Sequence, residues 1–89
     1  MKIYKYKLGS IVRLPKDTRI LHCNTQDNCL YVWALIDPDI VEEDVYEVNV
    51  VGTGHSFNPV GWDYISTVLD GSFVWHIWFK KSKDEWEFS

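Results

Sequence analysis

Apolar and polar positions alternate along this chain in short runs, and no stretch keeps an apolar stripe at helical spacing. The runs are rich in Val, Ile, Tyr and Trp and stop at turn residues, which is how strands are bounded. Residues 2–8 set Tyr4, Tyr6 and Leu8 on one face and Ile3, Lys5 and Lys7 on the other, as in an edge strand with one wetted side. Residues 11–14 form a second strand closed by Pro15. Residues 19–24 and 29–36 form a hairpin about a turn at 25–28. The run 29–36 is apolar on both faces, which predicts a central strand covered on both sides. Asp37, Pro38 and Asp39 end it, because proline withholds a ladder donor. Glu42, Glu43 and Asp44 in a row predict a solvated acidic connection. Residues 45–51 are a fifth strand, and 62–69 and 72–80 are the last two. Asp70-Gly71 between these alternating runs predicts a hairpin of type I′, with positive φ at both central residues.

The pattern therefore predicts an all-β fold, a small antiparallel β-barrel or β-sandwich of about seven short strands with no major helix. Residues 1–81 make one β domain. Residues 82–89 make a charged tail that either frays or lays Trp86 and Phe88 onto the domain or a neighbouring subunit. The longer connections, 37–44 and 52–61, are where binding is expected on so small a scaffold.

Length and charge narrow the function. Eighty-nine residues are one domain. The longest uncharged apolar run, 29–36, is far short of the roughly 20 residues needed to cross a bilayer. Lys2, Lys5 and Lys7 interrupt any secretory leader. The net charge of −4 is unevenly spread: residues 1–20 balance at +5, residues 21–79 at −9 and the last ten at zero. That balance argues against generic nucleic-acid binding, which needs many phosphate-neutralising cations. A small anionic ligand needs only two or three. The alternative is that basic and acidic segments pair across strands and solubilise the fold.

Among candidate chemistries, the strongest local signal is Gly52-Thr53-Gly54-His55-Ser56. Two glycines allow positive φ, successive N–H groups can then form an anion-binding nest, and Thr53 and Ser56 add hydroxyls. A plain tight turn is the other reading. Cys23 and Cys29 lack a second ligand pair for zinc and read as reduced structural thiols. His76 alternates with Val74 and Trp78 and reads as a satisfied, half-buried histidine, whereas His55 lies in a loop. No nucleophile motif surrounds Ser56 or Ser66, and no paired carboxylates stand at metal spacing. Neither a metal nor a cofactor is expected, and a hydrolase is disfavoured. Aromatic residues are 16% of the chain, more than one small core holds. Trp75 and Trp78 point to opposite faces of one strand, so the second face must meet another sheet, a partner subunit or a ligand.

Ile3-Tyr4-Lys5-Tyr6, Leu14-Pro15, Arg19-Ile20-Leu21, Trp33-Ala34-Leu35-Ile36-Asp37-Pro38, Val51-Gly52-Thr53-Gly54-His55, Tyr64-Ile65-Ser66-Thr67-Val68 and Phe73-Val74-Trp75-His76-Ile77-Trp78 occur in that order. In these phrases the chain resembles a family of small uncharacterised proteins of tailed bacteriophages and prophages. It departs from that pattern at Ser66, where glycine is common, and in the two cysteines. The resemblance implies action in the host bacterial cytoplasm and supplies no activity.

Taken together, these features give the expectation of a non-enzymatic anti-defence protein that sequesters a nucleotide-type signal as a homo-oligomer. Thr53, Gly54, His55 and Ser56, with His76 nearby, would meet phosphate. Lys5, Arg13 or Arg19 would add charge from the same or a neighbouring subunit, and Trp62 or Tyr64 would stack on a base. An inhibitor or adaptor that binds a host defence protein through the acidic stretch is the second expectation.

Overall fold

The structure, a computed structural model, describes residues 1–82; the expectations for Trp86 and Phe88 lie outside the described residues. Seven strands form, β1 (Lys2–Lys7), β2 (Ile11–Pro15), β3 (Arg19–Gln26), β4 (Cys29–Ile36), β5 (Glu43–Gly52), β6 (Asp63–Asp70) and β7 (Phe73–Lys81). No helix occurs among the described residues. All pairings are antiparallel. They build two sheets, a three-stranded one in the order β1-β4-β3 and a four-stranded one in the order β2-β5-β7-β6. Among the described residues no ladder joins the two sheets into a closed barrel. Their nearest approach is between β3 and β6.

Alternation decides what faces inward. Even residues of β4 and odd residues of β7 supply Val32, Ala34 and Ile36, and Ile77 and Phe79. Of these, Val32, Ile77 and Phe79 meet Val12 and Leu14 of β2, Cys23 of β3, Val68 of β6 and Leu8 from the β1–β2 link in one core shared by both sheets. Val32 and Ile77 are fully buried, each contributing roughly 1.5–3 kcal/mol.

β4 is central, as its composition predicts, but among the described residues another layer covers it only on its inner side. Its outer row, Cys29, Tyr31, Trp33 and Leu35, is half-buried. The β3–β4 turn is tighter than the sequence suggests. Gln26 pairs with Cys29, leaving Asp27 and Asn28 as a two-residue loop with φ of 53° and 64°. This turn, not the one at Asp70-Gly71, has positive φ at both centres. The β6–β7 loop is Gly71-Ser72, and only Gly71 (φ 60°) is positive, the pattern of a type II′ turn. Register shifts by one residue at two places, between Ile20 and His22 in β3 and between Tyr64 and Ser66 in β6. Both bulges border one surface hollow, lined by Ile20 to Cys23 and Tyr64 to Ser66, where the two sheets approach.

The acidic connection is only partly solvated. Glu42 and Glu43 are exposed, but Asp44 pairs with Leu14 in the β2–β5 ladder and is buried. Lys16 donates to its carboxylate at 2.8 Å and Lys81 stands 3.3 Å away. This ion cluster closes one end of the molecule.

Candidate functional site

The opposite end is open. There the β3–β4 and β6–β7 turns, the end of β1 and the end of β5 surround a gap that the core does not fill. Val50 faces inward in register with Ile77, yet it is 38% exposed. Trp75, inward on β7, stands in the gap as a wall between two cavities.

The first cavity, about 370 Å³, has an apolar floor of Leu8, Leu30 and Val50 against Trp75, with Lys7, Thr25, Asn28 and Asp70 on its rim. The second, about 490 Å³, lies between residues 52–55 and the β6–β7 turn. Thr53, His55 and Ser72 provide its polar groups, and Phe73 stacks on Trp75 with ring centres 5.5 Å apart and planes at 16°. Mostly apolar concavities of this size with a few polar groups are where small ligands bind.

Gly52 explains how His55 reaches this cavity. A Cβ added at Gly52 would stand 3.2 Å from the His55 ring and 3.3 Å from Trp75, so glycine permits both rings to close on the backbone. The expected nest does not assemble. His55 N–H donates to Gly52 C=O (3.1 Å) and Thr53 N–H to Val74 C=O (3.3 Å), so both amides are engaged within the fold. With φ of 90° at Gly54 alone, residues 52–55 are a tight turn of type II pattern.

His76 belongs to another surface. It faces outward in register with Val51 and Thr67, and both of its nitrogens are bonded. Nε2 meets Thr53 Oγ1 at 2.8 Å and Nδ1 meets Thr67 Oγ1 at 3.0 Å. Thr67 in turn bonds Tyr64 OH at 2.5 Å. His55 and His76 therefore lie on opposite sides of the four-stranded sheet. Beside this hydrogen-bonded chain, residues 53–62 fold back onto the outer face. Phe57 packs on Trp78 (5.0 Å) and Trp62 (6.0 Å), Tyr64 on Trp78 (5.4 Å), and Lys80 lies over Trp62 (5.7 Å). The outer face thus finds cover in a loop of the same chain, an alternative the alternation argument omitted.

The remaining sequence-predicted residues are dispersed. Gly54 and Ser56 are exposed on the 53–62 connection. Arg13, on β2, borders a hollow with Ile11, Val45 and Ser82 near the ion cluster. Lys5 and Arg19 belong to the three-stranded sheet. Within one chain, none of these three cations borders either Trp75 cavity. Sequence reasoning missed Lys7, Asn28, Phe73 and Trp75 as site residues. The visible signal was Phe73 next to the last turn, where an inward aromatic overhangs the end of the core.

Cys23 and Cys29 are both free. Cys23 faces the core opposite Val32, whereas Cys29 borders the first cavity. Among the described residues no three His, Cys, Asp or Glu are placed to hold a metal ion, and no helix is long and apolar enough to cross a membrane.

Residues 1–87 match the family described as "Domain of unknown function (DUF7352)", and the chain belongs to that family. No curated protein and no solved structure matches it.

Proposed function

We propose that this chain is a phage accessory protein that counters host defence by sequestering a nucleotide-type signal without turning it over. The observation that carries the reading is the open end, where Trp75 divides two cavities with a cation on one rim and the Ser72 hydroxyl and the His55 ring on the other. A flat base stacks on Phe73 or Trp75, and Lys7 meets phosphate while His55 and Ser72 bond the sugar or a second phosphate. Base–aromatic stacking is worth roughly 1–3 kcal/mol, and one charge-assisted bond from Lys7 adds to it. The phage source and the site of action in the bacterial cytoplasm rest on the sequence phrases given above. In this reading the two sheets are a β-sandwich left open at one end. Leu69 (73% exposed) and Phe73 (60%) beside that end support an oligomer that closes it.

Calorimetric titration of the protein with a panel of cyclic and linear nucleotides tests this. At least one is expected to bind, to be weakened about tenfold or more by Lys7→Ala and by Phe73→Ala, and to be recovered intact after denaturation. Absence of binding across the panel sinks the proposal, and recovery of altered nucleotide makes the protein an enzyme.

A second reading, an inhibitor or adaptor of a host protein, draws on exposed Val41, Glu42 and Glu43. Asp44 does not belong to that surface, because it is held by Lys16 and Lys81.

A further inference from the structure

The charge asymmetry along the sequence becomes an asymmetry between the sheets. β1, β3 and β4 contain no acidic residue, while β1 and β3 carry Lys2, Lys5, Lys7 and Arg19. The acids found in strands all lie in β5 and β6 of the other sheet. In the three-stranded sheet Lys5 pairs with Trp33, Trp33 with His22, and Arg19 with Leu35, so these side chains share its outer face. Tyr31 and Trp33 run along the middle of that face, half-buried, with ring centres 6.3 Å apart. His22 leans on Trp33 at 5.9 Å. Lys5 bends inward over the face instead of extending to solvent. Its ammonium sits 4.7 Å above the Tyr31 ring and donates to Gln26 at 2.7 Å. No other described strand covers this face.

We infer that this face is a binding platform for single-stranded nucleic acid, separate from the open end. Bases stack on Trp33 and on Tyr31 as Lys5 lifts from it, and Lys5 and Arg19 on opposite flanking strands neutralise the passing phosphates. Sequence-tolerant readers of single strands combine these two elements, aromatic surfaces and a cationic track. The net charge of −4 weighs against binding all over the surface, but a strand lying here faces cations and rings while the acids of β5 and β6 belong to the opposite sheet. A duplex, whose bases are stacked on one another, has no face to offer Trp33. The cations alone would suit an acidic protein equally well, and it is the row of flat rings between them that favours nucleic acid.

The test uses the full chain and fluorescence anisotropy with short labelled oligo(dT), oligo(U) and a duplex of equal length. Either single strand is expected to bind at least tenfold more tightly than the duplex, the better one telling DNA from RNA. With about two phosphates neutralised, by Lys5 and Arg19, log K is expected to fall against log salt with a slope of about −1.4. The double variant Lys5→Glu/Arg19→Glu is expected to lose tenfold or more, as is Trp33→Leu, while Phe73→Ala binds as the parent does. The exposed charge variants keep the test decisive if Trp33→Leu fails to fold. Equal affinity for the duplex, indifference to the charge variants, or displacement by polyglutamate as effective as by unlabelled oligonucleotide overturns the inference. So does loss of binding in Phe73→Ala, which would move the site to the open end.

Discussion

Asp44 shows what a single residue's neighbours decide. In sequence it closes an acidic triplet and reads as solvated, like Glu42 and Glu43. The structure turns it inward because β5 begins one residue before it and pairs it with Leu14. The hydrogen bond from Lys16 holds its carboxyl below the usual carboxylate range, against burial, which raises it; Lys81 acts with Lys16. A carboxylate depressed in the folded state adds stability above its unfolded pKa and loses it as pH falls through the folded value. Asp44→Asn is therefore expected to cost about 1–3 kcal/mol near neutral pH. Urea melts of both proteins across the acidic range check this. Their difference is expected to shrink as pH drops through and below the ordinary carboxylate range, and a constant gap would show that the charge is not what matters. Nothing local in the triplet marks Asp44 as different, since its partners lie 28 residues before it and 37 after it.

At the scale of elements the sequence is much more legible. β-Branched and aromatic runs bounded by turn residues place every strand to within about two residues, because both signals are local. The hairpin turns are harder, since their type depends on how the flanking strands pair. Asp-Gly at 70–71 suggests two positive φ angles, yet Asp70 pairs with Phe73 as the last strand residue, and Ser72 takes the second turn position. This yields a direct test by thermal melting. Gly71→Ala is expected to cost about 1 kcal/mol, because an alanine must then adopt a φ of 60°. Ser72→Ala is expected to leave stability within about 0.5 kcal/mol of the parent. Equal losses would instead place both residues in the left-handed region. The bulges at Leu21 and Ile65 are not legible at all, as neither Gly nor Pro marks them.

The whole molecule holds what the sequence reveals least. Which strands share a sheet depends on pairings as distant as β2 with β5, and the open end arises because Val50 and Trp75 have too few partners across the gap. Candidate site residues chosen by motif were accordingly divided among several surfaces. The two thiols report on this architecture. Cys23 lies in the shared core, where burial pushes its pKa up to about 11, and Cys29 borders the first cavity. A thiol reagent at mildly alkaline pH is expected to label Cys29 in the folded protein and to reach Cys23 only when the sheets separate. The slow phase then measures the opening free energy of the domain. Equal rates at both thiols would mean that the core breathes locally around β3.

Among the described residues the unjoined sheets leave four strands with a free edge, and each edge is unsuited to adding a further strand. β1 carries three lysines, β2 has five residues and ends at Pro15, and β3 and β6 are each kinked by a bulge. Lysine, brevity, proline and kinks are the devices that keep exposed backbone from templating fibres. The protein is thus expected to resist amyloid-like growth at high concentration, which a dye-binding assay on concentrated samples checks.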